Sequence, residues 1–126
     1  MIRVPLVLAA LMVQPGGAFV QVPALCQARL ELTQHDQMLT VAGHCRSTAP
    51  ATRYRYQLLV TRLSRAGRSQ NSQGGEFMLL PNQNLVLSEV HVSALAHDEY
   101  RAQLLIFDLR GQVVAHDSAN YSTGVH

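Results

Sequence analysis

Runs in which apolar and polar residues alternate recur along most of this chain. Residues 100–107 place Tyr100, Ala102 and Leu104 on one side, with polar residues between them, which is the period of a half-buried strand. No stretch keeps a helical period over three turns. Strands are predicted at residues 26–32, 39–45, 53–60, 77–80, 85–92, 100–107 and 112–116. The pattern predicts an all-β fold, a single immunoglobulin-like β-sandwich of about seven antiparallel strands.

Two of these runs carry a local irregularity. In residues 85–92 the apolar positions change parity between Leu87 and Val90, which indicates a β-bulge. In residues 94–100 a polar crossing ends in Tyr100 at the start of a strand, an arrangement that resembles the tyrosine corner of immunoglobulin-like sandwiches.

The middle of the chain is polar and rich in glycine. Residues 62–73 contain mainly Arg, Ser, Gln and Gly, and we expect them to form a loop. Gly74 and Gly75 follow and predict a sharp turn or bulge. Phe77 then opens a short apolar strand, which Pro81 ends.

The two cysteines predict a disulfide within the first hairpin. If a tight turn lies at His35-Asp36, Leu32 faces Leu39 and Cys26 faces Cys45, with the apolar residues of both strands on one face. A slip of one residue would destroy this match. We therefore expect a structural Cys26–Cys45 bond, which would stabilise by ~3 kcal/mol.

The first 18 residues have the layout of a secretory signal peptide. A short basic start precedes residues 4–13, which are mostly apolar but too few to cross a membrane, and Ala18 ends a small-residue cleavage site. We expect residues 1–18 to be removed. Residues 19–126 would then form one exported domain, without membrane insertion.

Charge and motifs exclude several kinds of function. The 10 basic residues are all arginine and face 8 acidic ones, an excess too small to favour nucleic acid as a partner. His91, His97 and Asp98 flank one corner, but their spacing does not favour a metal site. No nucleophile elbow or phosphate-binding loop occurs. We expect no enzyme activity, no cofactor and no bound metal.

Arginine dominates one predicted surface. Arg53, Arg55 and Gln57 alternate outward on one strand, and further candidates lie in the predicted loop, at Arg62, Arg65, Arg68 and Gln73. Guanidinium groups donate hydrogen bonds in a fork and stack on aromatic rings, so this surface would suit a partner rich in Gln, Asn, Tyr and carboxylate. Arginine on an exposed strand also protects against edge-to-edge aggregation, and the pattern fits both roles.

The order of motifs resembles the curli-assembly inhibitors of the CsgC/CsgH type, and the CsgH branch most. The resemblance rests on the early cysteine, the Tyr-Arg-Tyr strand and three segments: Ser72-Gln-Gly-Gly-Glu-Phe77, Leu87-Ser-Glu-Val-His-Val-Ser93 and Tyr100-Arg-Ala-Gln-Leu104. It implies a periplasmic immunoglobulin-like domain that keeps curli-type amyloid subunits from forming fibres. The Cys-x-Cys element of some relatives is absent, so a redox role tied to it does not carry over.

Two other functions remain open at this point. One is a structural or adhesive β-sandwich module of a surface fibre. The other is a thiol oxidoreductase that uses Cys26 and Cys45. We expect the protein to be a monomer.

Overall fold

The computed structural model describes residues 26–94 and 97–122. The predicted signal peptide, residues 1–18, lies outside them. Within the described ranges, no helix is long and apolar enough to cross a membrane.

Over these ranges the chain forms seven strands in two antiparallel sheets. The strands are β1 (Cys26–His35), β2 (Met38–Ser47), β3 (Thr52–Ser64), β4 (Gly67–Leu79), β5 (Asn84–Ser93), β6 (Glu99–Phe107) and β7 (Val113–Ser122). One sheet has the order β1-β2-β5 and the other β4-β3-β6-β7. This arrangement confirms the predicted all-β sandwich of seven antiparallel strands.

The core lies between the inner faces of the two sheets. Leu39 and Val41 of β2 meet Leu58 of β3 and Leu104 and Ile106 of β6, and all five are completely buried. Each lies at an alternate position of its strand, so the other side chains of these strands point away from the core. The alternation in the sequence therefore predicted the buried face correctly.

Both predicted irregularities are present. The β2–β5 register shifts so that Gly43 pairs with Ser88 and His44 with Val86, which leaves Leu87 as the bulged residue. Tyr100 is 1% exposed, and its hydroxyl donates a hydrogen bond to the carbonyl oxygen of Ser93. The tyrosine corner is thereby confirmed.

The predicted register of the first hairpin was wrong by two residues. Cys26 lies opposite Ser47, and Cys45 lies opposite Ala28. The turn falls at Asp36-Gln37 because Asp36 takes a left-handed backbone conformation, with φ of 57°, which Asp tolerates better than most residues. A shift of two keeps every side chain on its predicted face, so both cysteines still point into the core.

The predicted loop at residues 62–73 was also wrong. β3 and β4 form one long hairpin in unbroken register, from Thr52 opposite Leu79 to Ser64 opposite Gly67. Gly74 and Gly75 lie inside β4, opposite Gln57 and Tyr56, and form neither a turn nor a bulge. Phe77 likewise lies within β4. The turn itself is at residues 65–66.

Candidate binding surface

Alternation along β3 places Arg53, Arg55 and Gln57 together on the solvent side of the four-stranded sheet. All three side chains are exposed, whereas Tyr54 and Leu58, which point to the other side of the strand, are buried. These three predicted residues therefore lie together on one exposed surface.

We call the solvent side of the sheet β4-β3-β6-β7 the arginine face. Its strand registers bring residues from four segments of the chain next to one another. Beside the β3 residues lie Arg68, Gln70, Ser72, Gly74 and Glu76 of β4, Glu99, Arg101, Gln103, Leu105 and Phe107 of β6, and His116, Ser118 and Asn120 of β7. The face is rich in amide, hydroxyl and guanidinium groups.

A depression of about 550 Å³ lies on this face above Gly74. Arg55, Gln57 and Phe107 line it. A Cβ atom added at Gly74 would lie 2.9 Å from the carbonyl oxygen of Tyr56, so the β3 backbone approaches too closely for any side chain. Close backbone contact, rather than a turn, explains the glycine at this position.

Gly75 has a different neighbour on the inner side of β4. A Cβ atom there would lie 3.4 Å from the ring of Tyr56, at ordinary contact distance. The ring of Phe77 lies 5.8 Å from that of Tyr54 and 6.1 Å from that of Tyr56, measured between centroids. These three rings support the floor of the depression from below.

A second depression, of about 300 Å³, lies farther along the arginine face. Arg68 and Arg101 line it together with Gln70 and Asn120. Gln70 donates a hydrogen bond from Nε2 to Oγ1 of Thr61, at 3.2 Å. The sequence did not single out Arg101, although its position opposite the apolar residues of β6 marks it as outward-facing.

The cationic groups of this face are available to a partner. Among the residues that the structure describes, Arg62 is the one arginine within an ion pair. Arg53, Arg55, Arg68 and Arg101 are thus not neutralised by a carboxylate in contact, and the acidic residues of the face are Glu76 and Glu99. Such a face favours acceptors and anions.

Arg62, a predicted binding residue, has a structural role. Its Nη2 lies 2.8 Å and its Nε 2.9 Å from Oδ2 of Asp98, whose side chain is only 6% exposed. Asp98 is next to the tyrosine corner, so the pair ties the end of β3 to the β5–β6 connection. Arg62 is held away from the arginine face.

The other predicted binding residues, Gln73, Arg65 and Arg68, do not form one continuous patch with Arg53, Arg55 and Gln57. Gln73 is on the inner side of β4, where its Oε1 accepts a hydrogen bond from the hydroxyl of Ser88 in the other sheet. Arg65 lies in the β3–β4 turn, and Arg68 lies opposite Leu63. Leu63 is ten positions beyond Arg53 on β3, a distance of about 33 Å along the strand. The arginine face is therefore long, with cations near both ends.

The cysteine pair lies in the core, away from the arginine face. Both thiols are free in this structure, and their Sγ atoms are 2.7 Å apart. The hydrogen bond to Cys26, together with burial, raises the pKa of the Cys45 thiol. Burial raises the pKa of the nearby Tyr54 hydroxyl as well, with Cys26 as a smaller cause. The predicted disulfide remains a prediction.

The histidines do not form a metal cluster in the described part of the chain. His91 has Nδ1 3.0 Å from Oγ1 of Thr40 and Nε2 3.7 Å from a carboxylate oxygen of Glu89. Asp98, which the sequence placed beside His97, holds Arg62 instead.

Two solved structures, a curli protein and a second protein named CsgH, are similar to this fold. The E. coli curli protein CsgC is 22% identical with a TM-score of 0.63, and the match covers 74% of this chain and 96% of that one. The solution structure of R. palustris CsgH is 20% identical with a TM-score of 0.58, covering 78% of this chain and 92% of that one. The chain has the fold of these two proteins.

No protein-family model and no curated protein sequence matches the chain. The identities to CsgC and CsgH differ little, so the expected preference for the CsgH branch stays a prediction. At this level of identity the likeness concerns the fold, and a function has to be argued from the surface.

Proposed function

We propose that this protein is a periplasmic inhibitor that binds curli-type amyloid subunits and delays their conversion to fibres. The observation that carries the proposal is the arginine face, with Arg53, Arg55, Arg68 and Arg101 free of ion pairs in the described structure. The likeness in fold to a curli protein, CsgC, and to CsgH supports the choice of client.

The face suits the side chains of an amyloid precursor. Cross-β assemblies are stabilised in part by ladders of Gln and Asn, whose side-chain oxygens accept hydrogen bonds. Arg55 and Gln57 beside the Gly74 depression supply donors to such oxygens, and Phe107 supplies an apolar wall. A client carboxylate would form charge-assisted hydrogen bonds with the guanidinium groups.

Binding on a sheet face, rather than on an edge, also explains why fibre growth would stop. The backbone groups of β3 and β6 already pair with strands on both sides, so they offer no template for another strand. A client segment on this face is held by side chains alone. The domain then adds no strand to the client, and the contact can remain weak and reversible.

No step of this function requires catalysis, a cofactor or a metal. The direct test is fibre formation by a curli major subunit, followed by dye fluorescence in the presence of the mature domain. Delay at a ratio well below one domain per subunit supports an action on rare early oligomers or growing ends. No delay, even at equimolar domain, refutes the proposal for that subunit and favours an adhesive module.

A further inference from the structure

The two sheets of this sandwich have four edges, and two of them hold each other. β1 and β7 lie side by side, where the backbone N–H of Leu30 donates a hydrogen bond to Oδ2 of Asp117, at 2.8 Å. The hydroxyl of Tyr121 donates to Oε1 of Gln34 farther along. Side chains thus bond to a backbone group of β1 and bridge the β1 and β7 edges. These contacts block the approach of another strand.

The third edge, β5, is interrupted. The bulge at Leu87 breaks its ladder with β2 near the middle of the strand. A bulge bends and twists an edge strand, and such distortion is a common protection against further pairing.

The fourth edge, β4, is the least protected. Gln73, on its inner side, accepts a hydrogen bond from the hydroxyl of Ser88 in β5, but this contact does not involve the β4 backbone. β4 runs for 13 residues in unbroken register with β3, and no described strand pairs with its other side. Every second residue of an edge strand leaves its N–H and C=O without a ladder partner. β4 is therefore the edge at which another strand can add.

The charges of β4 are arranged in a self-complementary way. Residues 69–75 are uncharged, and Arg68 and Glu76 flank them on the same face of the sheet. When two β4 strands run antiparallel with Ser72 opposite Ser72, Arg68 of each copy lies opposite Glu76 of the other. Opposite charges directly across a strand pair stabilise it, whereas like charges destabilise it.

We propose that β4 pairs with β4 of a second copy of this chain, antiparallel and with Ser72 on the two-fold axis. The two four-stranded sheets join into one sheet of eight strands. A slip of one residue would turn outward-facing side chains inward, so alternation and charge select the same register. The pairing is isologous and closed, because each copy uses its least protected edge.

This dimer goes beyond the proposed function and does not depend on it. It pairs Arg68 with Glu76 at the β4 side of the arginine face, leaves Arg53, Arg55 and Arg101 of that face open, and covers the edge that an amyloid strand would otherwise extend. Contact is limited to one strand from each copy, so we expect the association to be reversible. At low concentration the protein should then be the monomer that the sequence predicts.

Sedimentation velocity over a wide range of concentrations tests the pairing. Arg68→Glu places two acidic residues opposite each other, and Glu76→Arg places two arginines opposite each other. Each single variant should raise the dissociation constant about tenfold, since two cross-strand pairs change from attraction to repulsion. Arg110→Glu, in the exposed turn after β6, is the control and should leave the dissociation constant unchanged.

Mixing the two single variants gives the sharper result. A chain with two acidic positions and a chain with two basic positions should form a heterodimer, and the variant with both changes should recover self-association. Circular dichroism confirms that each variant is folded. A wild-type monomer at all concentrations would overturn the proposal, as would dimers that the single reversals leave intact. Protection of β4 amides by an amyloid subunit, without any dimer, would assign the edge to the client instead.

Discussion

The guanidinium of Arg62 is fixed by the carboxylate of Asp98, with contacts of 2.8 and 2.9 Å to the same oxygen. Arg62 is 36 residues from Asp98 in the chain, and the pair lies where β3 passes the tyrosine corner. An arginine that looks like part of a binding surface in the sequence therefore belongs to the scaffold.

Replacing Arg62 should cost stability. Arg62→Ala removes the guanidinium from a carboxylate that is almost fully buried, and we expect a loss of about 2 kcal/mol in the free energy of unfolding. Urea denaturation measures it. Arg65→Ala, in the exposed turn, is the control and should change stability by less than about 0.5 kcal/mol. Equal stability of both variants would show that the ion pair contributes nothing.

The two adjacent glycines of β4 should respond differently to a methyl group. Gly74→Ala puts Cβ 2.9 Å from the carbonyl oxygen of Tyr56 and should destabilise by about 1–3 kcal/mol. Gly75→Ala meets only the Tyr56 ring, at 3.4 Å, and should be neutral or gain a few tenths of a kcal/mol, because the unfolded chain loses freedom. Thermal unfolding compares them. The reverse order would contradict the close backbone approach at Gly74.

The cysteine pair should be oxidised in protein from an exporting cell. The two sulfur atoms are adjacent and buried, so we expect a mass lower by two hydrogens and no free thiol after unfolding. In the reduced protein, the raised pKa of Cys45 should make its alkylation slow at neutral pH. A bond that mild reductant opens in the folded protein would instead favour the thiol oxidoreductase.

The arginine face predicts a charge effect on inhibition. Arg53→Glu with Arg55→Glu should abolish most of the delay in curli fibre formation, because the donors beside the Gly74 depression become repulsive acceptors. Arg29→Glu with Arg46→Glu makes the same charge change on exposed residues of the other sheet and is the matched control. Equal loss in both variants would point to net charge rather than to the face.

The sequence predicted strands well where they pair on both sides. β2, β3 and β6 carry regular apolar alternation because their inner faces fill the core. The first ten residues of β4 were missed because residues 67–76 contain no apolar side chain, and an edge strand with solvent on one side needs few. The second half of β7 was missed because Ala119 and Tyr121 are the only apolar residues in it. Alternation reports burial, so it cannot detect a strand held mainly by its backbone ladder.

The candidate surface was predicted in part. Arg53, Arg55 and Gln57 share a face because strand period alone decides it. The positions of Arg62 and Gln73 depend on Asp98 and Ser88, which are distant in sequence and could not be paired without the fold. Arg101 joins the face only through the β3–β6 register, in which it lies opposite Thr61.

We propose that this domain delays amyloid formation by a curli subunit, and a fibre-growth assay tests the proposal. Fibre formation by a curli major subunit is followed by dye fluorescence, with the mature wild-type domain added well below equimolar. We expect a lag that lengthens with added domain, even when most subunits have no domain to bind. A lag that is unchanged up to equimolar domain would contradict it.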